Sequence, residues 1–183
     1  MDKRKALVRG AVIAAIVVII VGMFFIKKGT AKEDSSVIES VLPVATDSLI
    51  YGPLELTGPF DLVAYRSSGL PTLIDFGADS CAPCKEMAPV LEELHRELQG
   101  KAIIRFIDVW KYGDIAQGYP LKVIPTQMFF DATGKPFTPT ESVQLPFNQF
   151  MTRDTNEHVF TTHEGGLTKE ELLSVLYEMG MKK

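Results

Sequence analysis

Apolar and polar positions divide the 183-residue chain into a hydrophobic block, a polar stretch and a patterned remainder. Gly10 to Ile26 runs for 17 residues without a charge. As a helix it would span about 26 Å, close to the ~30 Å thickness of a bilayer's hydrocarbon core. Ala6, Leu7 and Val8 extend the run to residues 6–26 if the Arg9 side chain reaches back to the interface. The pattern predicts an N-terminal transmembrane anchor over residues 1–28. Residues 29–47 mix Lys, Glu, Asp, Ser, Thr and Ala and read as a linker, with one helical turn around Val37–Val41. Residues 48–183 read as one domain.

Within that domain, Leu49–Leu56 carries strand-type residues interrupted by Gly52-Pro53, and Phe60–Tyr65 suits a short helix. Thr72–Phe76 is a short, nearly continuous apolar run, as expected of a buried parallel strand. Lys85–Gln99 places Met87, Val90, Leu91, Leu94 and Leu98 on one helical face, with Pro89 expected to kink it and Gly100 to end it. Ala102–Trp110 reads as a second strand, Tyr112–Tyr119 as a short helix or turn, Thr126–Asp131 as a third strand and Val159–Thr162 as a fourth. Thr168 and Glu171 have capping-box spacing, with Leu167 and Leu172 spaced as a hydrophobic staple, ahead of a last helix over Lys169–Met179. The β-α-β then β-β-α order predicts a mixed-sheet α/β fold. Residues 136–157 form a long insertion with its own apolar residues, suited either to partner docking or to packing on itself.

Charge orients the first segment. Lys3, Arg4, Lys5, Arg9, Lys27 and Lys28 oppose only Asp2 in residues 1–28, while residues 29–183 carry 13 basic and 22 acidic residues. The basic excess before the apolar run places the N-terminus in the cytoplasm and the domain outside it. A cleaved signal peptide is the rival reading, since Gly29-Thr30-Ala31 is a small-x-small triplet. However, the apolar run is long for one, and two lysines separate it from the triplet. The acidic domain argues against nucleic-acid binding, which needs a basic face.

The chain has two cysteines, Cys81 and Cys84, separated by Ala82-Pro83 at a predicted strand-to-helix junction. A helix N-terminus presents free backbone N–H groups and positive dipole charge, which favour thiolate over thiol. The thiolate is the attacking species in disulfide exchange. A Cys2His2 zinc site with His158 and His163 is the competing reading. Its halves lie 73 residues apart, and an odd spacing along a strand sends the two histidines to opposite faces. No metal and no cofactor are expected, and His95 reads as a solvated helix residue.

The stretch from Leu73 through Lys85 resembles the active-site strand and helix start of the thioredoxin-like thiol–disulfide oxidoreductases. Met87-Ala88-Pro89-Val90-Leu91 resembles their kinked helix, and Val123-Ile124-Pro125-Thr126 their cis-proline loop. The resemblance covers roughly residues 55–180. It implies a thioredoxin fold, here a central mixed β-sheet flanked by helices, with the N-terminal transmembrane helix added. By this resemblance Cys81 is the nucleophile, at the exposed end of the pair, and Cys84 the resolving thiol. Asp75 is the buried acid that takes the Cys84 proton, and Pro125 is the cis-proline facing the dithiol. Ala82, Pro83, Ile124, Pro125 and Thr126 form the substrate-binding surface. The implied partners are protein disulfides or thiols and a transmembrane thiol-electron donor, with the domain periplasmic or on the outer face of a bacterial inner membrane. Gly77 and Ser80 stand where the family usually has tryptophans, and Ile104 stands at the family's buried lysine, leaving potential and substrate surface open. A membrane-tethered reductase is the leading expectation. A thiol oxidase or isomerase, and a non-catalytic binding or chaperone module, are the alternatives.

Overall fold

The computed structural model describes Asp47 and residues 50–183; the expected anchor and the helical turn around Val37–Val41 lie outside them. Among the described residues, no helix is long and apolar enough to cross a membrane. The elements run α1 (Leu62–Arg66), β1 (Thr72–Gly77), α2 (Ala82–Glu97), β2 (Ile103–Asp108), β3 (Thr126–Phe130), β4 (Asn148–Met151), β5 (His158–Glu164) and α3 (Lys169–Glu178). The five strands form one sheet in the order β2-β1-β3-β5-β4. β1 and β2 are parallel, joined through α2, and the other pairings are antiparallel.

Alternation along the strands splits the core between two faces. Leu73, Ile104 and Phe129 pack beneath α2 and α3 with Met87, Leu91, Leu94, Leu172 and Leu176. Ile74, Phe76, Ile103, Ile107, Met128 and Phe130 fill the opposite face with Tyr65 of α1. The central strands are therefore buried on both sides, which explains their nearly unbroken apolar runs. α2 continues through Pro89 and starts three residues before the pattern predicts, with Cys81 as its N-cap. α3 opens on the expected capping box: Thr168 Oγ1 accepts from the Glu171 N–H, and Glu171 Oε2 accepts from the Thr168 N–H.

Two features depart from the sequence reading. Of the Leu49–Leu56 run, the described residues 50–56 form no strand; Leu54 and Leu56 exchange one hydrogen bond each with Phe106 on the outer side of β2, a single parallel bridge centred on Glu55. Pro53 has no N–H to extend that pairing. Tyr112–Tyr119 is a run of turns, one of the two forms expected of it. The insertion contains an unexpected strand, β4, paired with β5 at the sheet edge. Its residues are mostly exposed and lack an apolar alternation, so no hydrophobic period marks it. The insertion's apolar residues largely turn inward: Phe137 and Val143 are buried, and Phe147 meets Phe129 and Phe137 edge-on at centroid distances of 5.6 Å.

Candidate active site

The dithiol sits where β1 hands over to α2. Cys81 and Cys84 are disulfide-bonded, with Cα atoms 5.3 Å apart. Cys81 takes an extended conformation at the N-cap, its N–H donating to the Ala78 carbonyl and its own carbonyl accepting from the Lys85 N–H. Pro83 in the first turn has no N–H where the helix could not use one. No acidic residue lies in that turn, so no like charge opposes a thiolate at the helix mouth.

The expected exposure of Cys81 is not found in the disulfide form. Both cysteines are buried, with 8% of Cys81 and 5% of Cys84 exposed, while Ala82 and Pro83 are exposed. The cover over Cys81 comes from the facing loop. The Ile124–Pro125 bond is cis, Ile124 packs against Ala78 and the two cysteines, and Cys81 Sγ lies 3.9 Å from the Ile124 carbonyl oxygen. Pro125 and Thr126 are buried. Thr126 Oγ1 donates to the Val123 carbonyl, and the Pro125 carbonyl accepts from the Gly165 N–H, so both ends of the loop are fastened. Val123, next to Ile124 in this loop, is an exposed apolar side chain.

The loop leading into Cys81 is also anchored. Asp108, at the end of β2, accepts from the backbone N–H groups of Asp79, Trp110 and Lys111. Burial pushes its carboxyl up, but those N–H groups and the Lys111 charge together hold it below the ordinary value. Lys111 pairs with Asp79, two residues before Cys81.

Asp75 lies behind the dithiol on the α2 face of β1, 2% exposed. Burial pushes its carboxyl up to about 7, opposed by a hydrogen bond from Gln127. Gln127 Nε2 donates to Asp75 Oδ1 at 2.7 Å. The second oxygen points elsewhere. A Cβ placed on Gly77 would sit 3.3 Å from Asp75 Oδ2 and 3.4 Å from Cys84 Cβ, so Oδ2 and Cys84 border the same small space at Gly77. Cys84's other flank lines a cavity of about 270 Å³ with Leu54, Glu55, Leu91 and Phe106.

The structure thus gathers Cys81, Cys84, Asp75, Pro125, Ile124, Ala82, Pro83 and Thr126 around one sulfur pair. Gln127 is the site residue that motif matching misses. Its signal is a lone amide in the run Thr126–Phe130, two positions after Pro125 and so on one side of its strand. His95 also differs from expectation: its Nδ1 lies 3.1 Å from the Ile104 carbonyl and 3.3 Å from Arg105, so the ring is engaged rather than solvated. Burial, with the neighbouring guanidinium, lowers its pKa. Among the described residues no cluster of His, Cys, Asp or Glu is arranged to hold a metal; His163 Nδ1 is instead engaged with the Pro146 carbonyl.

A strand–dithiol–helix junction facing a cis-proline, on a mixed five-stranded sheet, defines a thioredoxin-type fold with a redox pair at its usual structural position. The family model described as Thioredoxin matches residues 61–153, and the chain belongs to the thioredoxin family. It is 40% identical over 86 residues to "Thioredoxin Y, chloroplastic" of Oryza sativa subsp. japonica, covering 47% of this chain and 50% of that protein. It is 48% identical over 60 residues to "Thioredoxin C-2" of Corynebacterium nephridii, covering 33% and 56% respectively. The chain therefore spans only about half the length of these curated relatives. Among solved structures it is similar to a mutant thioredoxin from Halobacterium salinarum NRC-1, at 22% identity and a TM-score of 0.49 over 73% of this chain and 95% of that one.

Proposed function

We propose that this chain is a membrane-tethered, extracytoplasmic thiol–disulfide oxidoreductase that reduces protein disulfides through a Cys81/Cys84 cycle. The observation that carries the reading is the disulfide at the mouth of α2, with a buried carboxyl behind it and the Ile124–Pro125 loop in front. In the reduced protein the Cys81 thiolate attacks one sulfur of a substrate disulfide. A Cys81–substrate disulfide forms and the other substrate sulfur leaves as a thiolate. Cys84 then gives its proton to Asp75 and attacks Cys81 Sγ, restoring the observed intramolecular disulfide and releasing the second substrate sulfur. The substrate gains two electrons and the dithiol loses two. Exposed Val123, Ala82 and Pro83 offer an apolar rim for an extended peptide beside the sulfurs.

Tethering and location rest on the apolar residues 6–26 and on the basic excess before them. Outside the cytoplasm a reductant must be resupplied, so a transmembrane thiol-electron donor is the partner this reading requires. The test uses the full chain in membranes. Cys84→Ser is expected to accumulate mixed disulfides through Cys81, and Cys81→Ser to form none. Wild-type chain is expected to reduce insulin with a dithiol donor, and a redox midpoint below that of the surrounding thiol pool marks the reducing direction. A midpoint above it assigns the chain to oxidation or isomerisation. No turnover, with partner binding retained in Cys81→Ser, makes it a binding module instead.

A further inference from the structure

Asp75 has two oxygens with different surroundings. Oδ1 accepts from Gln127 Nε2, and Oδ2 borders the space at Gly77 that Cys84 also borders. Asp75 and Gln127 are register partners on β1 and β3, so their side chains share one face. The other side of the same amide nitrogen lies 3.5 Å from Met87 Sδ of α2. Both amide hydrogens are therefore directed, one at the carboxyl and one at the helix above it. Gln127 itself is fully buried, so the amide cannot swing out to water.

We propose that Gln127 is a positioning residue for the dithiol chemistry: its carboxamide holds Oδ1 and keeps Asp75 in the state and orientation that let Oδ2 take the Cys84 proton. The inference rests on the oxidoreductase reading. A carboxyl this deeply buried strongly favours its neutral, protonated form, which cannot accept a proton. One hydrogen bond donated to the ionised form opposes that tendency and leaves Asp75 titrating at about 7. The family's buried lysine position holds Ile104, an apolar residue of the core, so no ammonium at that position does this work. The amide supplies part of the effect without adding a net charge.

Among the described residues, no second side chain donates a hydrogen bond to Asp75. Its β2 partner is Phe106, Cys84 of α2 shares the space at Gly77 with Oδ2, and Met87 of α2 meets the Gln127 amide. Glu55 pairs with Phe106 from the far side and lines the cavity that also meets Asp79, Lys85 and Glu92. His163 is the register partner of Gln127 on β5, and its Nδ1 lies 2.9 Å from the Pro146 carbonyl.

The test reads Asp75 directly, by carboxyl-carbon NMR titration of the full chain in detergent with the dithiol reduced. Gln127→Leu is expected to raise the Asp75 midpoint by about one to two pH units, the amount expected for loss of one hydrogen bond to a charged group. The pH profile of the resolving step, followed as release of a Cys81 mixed disulfide in a single turnover, is expected to move upward with it. In an Asp75→Asn background the same substitution is expected to leave that profile in place. Gln127→Met, unbranched and of similar volume, gives the same readings if the leucine variant fails to fold. An unchanged or lowered Asp75 midpoint in a folded Leu or Met variant overturns the proposal. Because the midpoint is measured without turnover, a chain that fails to reduce insulin still reports on Gln127.

Discussion

Asp75 and Gln127 face each other across β1 and β3, joined by a 2.7 Å hydrogen bond in the fully buried layer beneath α2. The energetic consequence has a definite sign. Asp75 moves from an ordinary 3.8 to about 7, chiefly by burial. Between those values the native chain holds a proton that the unfolded chain has released. The contribution of this group to stability is complete below about pH 4 and is lost as pH rises through about 7, a swing of about 4 kcal/mol. Asp75→Asn is expected to remove that swing, so its advantage over wild type in denaturant unfolding of the oxidised chain grows from pH 4 to pH 8. The same variant is expected to slow resolution of the Cys81 mixed disulfide.

Gly77 gives Asp75 and Cys84 the room they occupy. An added methyl would lie 2.9 Å from Phe106 Cε2 and 3.3 Å from Asp75 Oδ2. Gly77→Ala is expected to destabilise the fold by about 1–3 kcal/mol through overpacking. The displaced carboxyl is also expected to slow the resolving step, separating this variant from a purely structural lesion. Chemical unfolding and single-turnover kinetics on the same preparation check both effects.

Gly134 turns the chain after β3 with φ +79°, and a Cβ there would stand 2.1 Å from the Arg66 carbonyl oxygen. That backbone approach is held by Arg66 Nε donating to the Gly134 carbonyl at 2.6 Å. Gly134→Ala combines a left-handed conformation with a clash that no side-chain rotation relieves. A loss of about 3–5 kcal/mol is expected, read as a lowered unfolding midpoint with the redox midpoint of surviving native chain unchanged.

Thr168 caps α3, whose Leu172, Val175 and Leu176 are buried against the sheet. Thr168→Ala leaves the Glu171 N–H without its capping oxygen and is expected to cost about 1 kcal/mol. Glycine at the same position is expected to cost only a few tenths, because it keeps the cap backbone accessible. Thermal melts of the pair distinguish loss of the cap from a packing defect.

Sequence pattern reaches the elements whose burial imposes a period. β1, β2, β3, α2 and α3 each carry an apolar run or face dictated by core contact, and the Thr168/Glu171 spacing marks the start of α3. β4 carries no such signature: Asn148, Gln149 and Met151 face solvent at the sheet edge, and pairing with β5 rather than burial makes them a strand. The dithiol, Asp75 and Pro125 are legible because their chemistry restricts the residue type. Gln127 is not, because its role exists only once β1 and β3 are placed in register. The cover over Cys81 likewise depends on Ile124, which lies 43 residues away along the chain.

Both borders of the sheet are blunted. Leu54 and Leu56 occupy the outward N–H and carbonyl of Phe106 on β2, while β4 on the far side is four residues long and irregular in register. An open sheet edge carries unpaired N–H and carbonyl groups onto which extended polypeptides can zip. Fastened at one rim and roughened at the other, this sheet offers a poor template for adventitious strand addition.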